Sequence, residues 1–186
     1  MKPTFDDIIN ATFLGNSEQL IQYKQKNADF LEINHHGDSL LDSIVGELVM
    51  NKKPYRYQII KLLIELGANP NQVSNDGFHA ILAPIFQEDH EMIKVFLEGG
   101  FNPNILIEDE YDTPLGIAIA EYCYNTFYWI EKLVPPISEL EHNNTDSLIA
   151  YLDYHANQNN IARPKHIILL REYGAKTLKD LNKTSS

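Results

Sequence analysis

"LLIELGANPN", residues 62–71, carries a helix to its end and turns into an extended Asn-Pro-Asn. Ile59, Ile60, Leu63, Ile64 and Leu66 fall on one face at helical spacing. Gly67 follows directly, where a helix leaving its axis needs a left-handed residue and glycine has no Cβ to obstruct it. Pro70 cannot continue the helix and pushes Asn69 extended. "FLEGGFNPN", 96–104, repeats the pattern, with Met92, Ile93, Phe96 and Leu97 before Gly100 and Pro103. Two such endings with glycines at 67 and 100 call for a search for internal repeats.

Helix starts recur as well. "TPL", 113–115, offers Thr113 as a cap and Pro114 at the first helical position. "SLLD" at 39–42, "HAIL" at 79–82 and "SLIA" at 147–150 occupy corresponding places. Second helices are expected at about 57–66, 89–98, 126–133 and 164–173, the last ending in "REYGAK" with Gly174. "TFDDIINATFLGN" and "SEQLIQYKQKN" form an N-terminal pair, and "TLKDLNK" reads as a short polar cap at the C-terminal end. The expectation is an all-α chain, one domain over 1–186, with about five helix-turn-helix repeats at roughly 4–36, 37–75, 76–108, 109–143 and 144–182, joined by extended β-turn loops.

Taken together, "GDSLLD", "DGFHAIL", "YDTPLG" and the endings "LLIELGANPN", "FLEGGFNPN" and "LLREYGAK" resemble an ankyrin-repeat protein. Such a repeat is ~33 residues, a β-turn plus two helices, with Thr-Pro-Leu-His opening the first helix. The resemblance is strongest over 59–120 and implies a solenoid whose concave face and turn tips bind other proteins. Gly116 stands where the family's histidine follows Thr-Pro-Leu, Tyr111 where its turn has glycine, and Pro135-Pro136 where a helix-ending glycine is expected.

Composition sets the partner class. A net charge of −11 and a pI near 5.0 disfavour nucleic acid and anionic membranes, which reward a basic surface. A basic protein partner fits. Cys123 is the lone cysteine, so no internal disulfide forms, and a cytoplasmic setting is expected. "MKPTFDDIIN" has acids where a signal peptide needs an apolar run, and no stretch approaches the ~18 apolar residues of a membrane span.

The candidate contact residues lie on turns and on one aromatic segment. "LIEDEYD" crowds Glu108, Asp109, Glu110 and Asp112 around Tyr111, a place to receive a partner's Arg or Lys, with Glu121 about two helical turns on. "NHHGD" supplies His36 and Asp38, and "QVSNDG" with the next residue supplies Asn75, Asp76 and Phe78. "YCYNTFYWI", 122–130, has too many aromatics for one short core. Tyr122, Tyr124 and Tyr128 are expected at the surface, Phe127 and Trp129 inside. Arg163, Lys165, Arg171, Lys176, Lys179 and Lys183, and separately Lys52, Lys53, Arg56 and Lys61, read as solvated faces or a second contact.

No catalytic, cofactor or metal constellation emerges. His35-His36 lacks ligands at metal-site spacing, "QVSNDG" has Gln72 and Ala83 where a calcium loop needs acids, and no phosphate loop or nucleophile elbow appears. The reading is a non-catalytic, monomeric binder that inhibits a basic protein, an immunity-type protein being one concrete case. An adaptor or effector bridging two proteins, and an enzyme with a site in the insertions, are the alternatives.

Overall fold

The computed structural model describes residues 1–107, 112–131, 134–135 and 144–184. The described residues form ten helices and no strand; an isolated antiparallel bridge joins Ile33 to Ser39. The chain divides into two compact units, Met1–Asn102 with Ile107–Asp109, and Pro103–Leu106 with Glu110–Ser186.

The first unit holds α1 (Phe5–Phe13), α2 (Ser17–Gln25), α3 (Asp42–Met50), α4 (Arg56–Glu65), α5 (Leu82–Phe86) and α6 (His90–Glu98). Consecutive helices pair as α1 with α2, α3 with α4 and α5 with α6. Alike helices also touch, α1 on α3 and α3 on α5 in one row, α2 on α4 and α4 on α6 in the other. Neither member of a pair can bury its apolar stripe alone, and the core is shared between rows. Ile8, Leu20, Ile44, Leu48, Ile60, Leu63, Ile81, Met92 and Phe96 are all fully buried there.

Capping residues start several of these helices. Thr4 and Asp7 form a reciprocal capping box on α1, Asn16 accepts the Gln19 amide on α2, and Asp89 accepts the Met92 amide on α6. The helix endings expected at Gly67 and Gly100 are present, with φ of +116° and +91°. Each is followed by an amide donating to the carbonyl five residues back, Ala68 to Leu63 and Phe101 to Phe96. The same ending closes α2 with Asn27 in the left-handed position, and α1 with Gly15. Lys52 and Glu88 hold that position after α3 and α5, where nothing in the sequence signals it.

The second unit holds α7 (Pro114–Glu131), α8 (Thr145–Asn157), α9 (Lys165–Glu172) and α10 (Leu178–Thr184). Here the expected turn between a first helix near 113 and a second near 126 is absent, because α7 runs unbroken through both. Its buried stripe continues from Leu115, Ala118 and Ile119 into Tyr122, Cys123, Thr126 and Phe127, and no glycine or proline lies between Ile117 and Glu131 to stop it. α7 packs against both α8 and α9. α9 ends as expected at Gly174, φ +80°, with Ala175 donating to Leu170.

Candidate protein-binding surface

Two turns of the first unit are built alike. Asn34 donates its amide to the Asp38 carbonyl and Gly37 donates to Asn34; Ser74 donates to Phe78 and Gly77 to Ser74, each at 3.0 Å. Gly37 and Gly77 have φ of +97° and +87°. Side chains fix the tips. Asn34 Oδ1 accepts the His36 and Asp38 amides, and Asp76 Oδ1 accepts that of Phe78.

The two tips abut. The Asn75 amide donates to the Gly37 carbonyl at 2.9 Å, and a Cβ on Gly37 would lie 2.8 Å from that of Asn75. Five sequence candidates are thereby gathered, with His36, Asn75 and Asp76 exposed and Asp38 and Phe78 half-buried. Asp42 anchors the pair from beneath. Its carboxylate accepts the Ser39 hydroxyl at 2.6 Å and the Ser74 hydroxyl, while the Ser39 amide donates to Ser74 Oγ at 3.0 Å. Burial pushes the Asp42 carboxyl above its ordinary range, against the two hydroxyl bonds that favour its charge.

His79 sits just behind the second tip, buried against Phe101 with ring centroids 5.2 Å apart. Its Nδ1 accepts the Ile81 amide at 3.1 Å, so it caps the turn at the place Thr113 takes on α7. Burial holds its imidazole down to about 4, only partly offset by the Pro70 carbonyl.

Glu108, Asp109, Glu110 and Tyr111 lie outside the described residues. Asp112, grouped with them as a contact residue, is engaged within the second unit. Its Oδ1 accepts the Thr113 amide at 2.6 Å and the Leu178 amide at 3.4 Å. A Cβ at position 116 would collide with this carboxylate, which gives Gly116 a physical reason. Glu121 is half-buried on α7.

The aromatic segment divides by helical face. Tyr122, expected at the surface, is instead 1% exposed, because it falls on the same side of the unbroken α7 as Ala118 and Ile119. Its hydroxyl donates to Asp153 Oδ1 at 3.1 Å, and burial together with that carboxylate pushes the phenol well above its ordinary value. Phe127 is buried as expected, near the rings of Tyr151 and His155. The side chain of Trp129 lies outside the described residues. Tyr124 and Tyr128 are 45% and 38% exposed and stack on each other, centroids 5.0 Å apart and planes within 10°. Cys123 is buried, and burial pushes its thiol up to about 11, so it stays protonated near neutrality.

Several cations read as solvated are paired. Arg56 Nε meets Asp89 Oδ2 at 2.9 Å with both side chains largely buried, and the Tyr57 hydroxyl donates to the other carboxylate oxygen at 2.9 Å. Arg163 binds Asp153 and holds its carboxyl below the ordinary range; Arg171 binds Asp146 in the open. Among residues that sequence reasoning missed, Asn71 and Asn104 stand out, because each clamps another helix ending. Their matching place as the last residue of the two Asn-Pro-Asn triplets is the signal that could have found them.

Among the described residues no three His, Cys, Asp or Glu side chains gather as a metal site, and no helix is long and apolar enough to cross a membrane. The chain matches no protein-family model and no curated protein.

Proposed function

We propose that this chain is a protein-recognition module of divergent ankyrin-like repeats that binds and inhibits a basic protein, without chemistry of its own, inside a reducing compartment. The observation carrying this reading is the abutting pair of turn tips, where rows of paired helices present His36, Asp38, Asn75 and Asp76 side by side. Rigid helix pairs holding adaptable polar tips suit recognition of a folded surface. The exposed Tyr124–Tyr128 stack supports the same reading, since aromatic faces receive Arg and Lys side chains. The net charge of −11 favours a basic partner and fast encounter with it. An inhibitor of immunity type is the specific form proposed.

The test is affinity capture from the native cell extract at low and at moderate salt, with the retained proteins identified by mass spectrometry. One basic protein, held at low salt and lost with E108K/D109K/E110K, is the expected result. Retention that ignores both salt and these charges would remove the acidic tips from the mechanism. Two unrelated partners held together would replace inhibition by bridging.

A further inference from the structure

The second unit contains a cavity of about 410 Å³. Arg171, Lys176 and Lys183 line it, although the chain as a whole is strongly acidic. Leu115 and Ala175, both nearly fully buried, lie at its floor, and Asn144 and Thr145 border it at the start of α8. Asp180 is the acid in the lining, and it is engaged already, accepting the Thr145 hydroxyl and meeting Lys183 Nζ at 3.6 Å. Arg171 reaches the cavity while paired with Asp146, a carboxylate 73% exposed and held only by a solvent-screened bond. Lys176 has no ion pair among the described residues.

We infer that this cavity binds a phosphomonoester. A dianion suits three cations whose opposing acids are Asp180, already engaged with Thr145 and Lys183, and the exposed Asp146 on Arg171. Guanidinium and ammonium groups are the usual donors to phosphate oxygens, and Arg171 can exchange an exposed carboxylate for a doubly charged group at little loss. The volume falls within the ~300–1,000 Å³ of small-molecule sites. It exceeds what a bare phosphate fills, so the phosphate is one end of a larger group.

Calorimetric titration of the full chain with inorganic phosphate, a hexose phosphate and a short phosphoserine peptide tests this. Saturable binding is expected, with the phosphomonoesters tighter than inorganic phosphate. K176Q/K183Q should weaken it about tenfold, whereas K165Q, on an exposed part of α9 away from the cavity lining, should leave it unchanged. A tighter hexose phosphate assigns the site to a small molecule, a tighter phosphopeptide to a modified protein segment, and both support a phosphomonoester site. Heats that do not saturate with any of the three, or equal losses in K165Q and K176Q/K183Q, would overturn it. Circular dichroism of each variant separates lost binding from lost folding.

Discussion

Asn71 in the first unit and Asn104 in the second make the same two bonds over different lengths of chain. Asn71 Nδ2 donates to the Gly100 carbonyl at 2.9 Å, and its Oδ1 accepts the Asn102 amide, 31 residues on, at 2.6 Å. Asn104 Nδ2 donates to the Gly174 carbonyl at 3.2 Å, and its Oδ1 accepts the Lys176 amide, 72 residues on, at 2.8 Å. Each asparagine thus clamps a helix ending built on a left-handed glycine. The first clamp spans the single pair α5 and α6, whereas the second spans α7, α8 and α9. Closing the longer loop costs only about 0.7 kcal/mol more in chain entropy. A clamp of this kind accommodates chain segments of very different length between its asparagine and the helix ending that it holds.

The sharpest way to break this comparison uses the ion pairs, one enclosed and one open. D89A in the first unit removes the partner of a largely buried Arg56, the Tyr57 bond and the α6 cap together. It should cost about 3 kcal/mol in urea unfolding. D146A in the second unit opens a solvent-exposed pair and should leave the midpoint unmoved.

Next in size is His79. Its folded value of about 4 lies below the ordinary 6.5, so the unfolded chain binds the proton more tightly. Its contribution is present above pH 6.5 and is lost as pH falls toward 4, by about 3 kcal/mol at most. H79N should flatten that loss in urea midpoints measured from pH 7.5 to 4.5. Asp42, with its raised value, acts in the opposite sense, losing stability as pH rises above 3.8. Repeating the series in a D42N background separates the two.

G37A should cost about 2 kcal/mol, because it adds left-handed strain to a 2.8 Å clash with Asn75. G174A, with the same strain but open space around it, should cost about 1 kcal/mol. Equal losses would mean that the tips do not press on each other. The clamp asparagines should have effects of comparable, modest size. N71A and N104A should each cost about 1–2 kcal/mol by thermal or urea unfolding, and by similar amounts. A loss confined to N71A would deny the equivalence of the two clamps.

The helix endings and most second helices were legible, because glycine, asparagine and proline carry their backbone preferences in their chemistry. The ends of α3 and α5 were less so, since Lys52 and Glu88 adopt φ of +48° and +51° against the preference of their side chains. The fusion of two expected helices into α7 was misread because the aromatic density of "YCYNTFYWI" resembled a surface segment. Its 3.6-residue period instead places Tyr122 inside and Tyr124 and Tyr128 outside. Among the candidate contacts, the tip residues were visible from turn chemistry. That the two tips touch depends on packing between helix pairs, which no local pattern encodes. Arg56 was read as solvated because its partner Asp89 lies 33 residues away.

The most direct measurement is the association rate of the captured partner as ionic strength rises from about 20 to 300 mM, for the wild type and for D76N with E108K/D109K/E110K. Recognition steered by the acidic tips predicts a wild-type rate that falls steeply with salt, and a variant rate that is slower at low salt and nearly flat. Identical rates and slopes for the two proteins would contradict it.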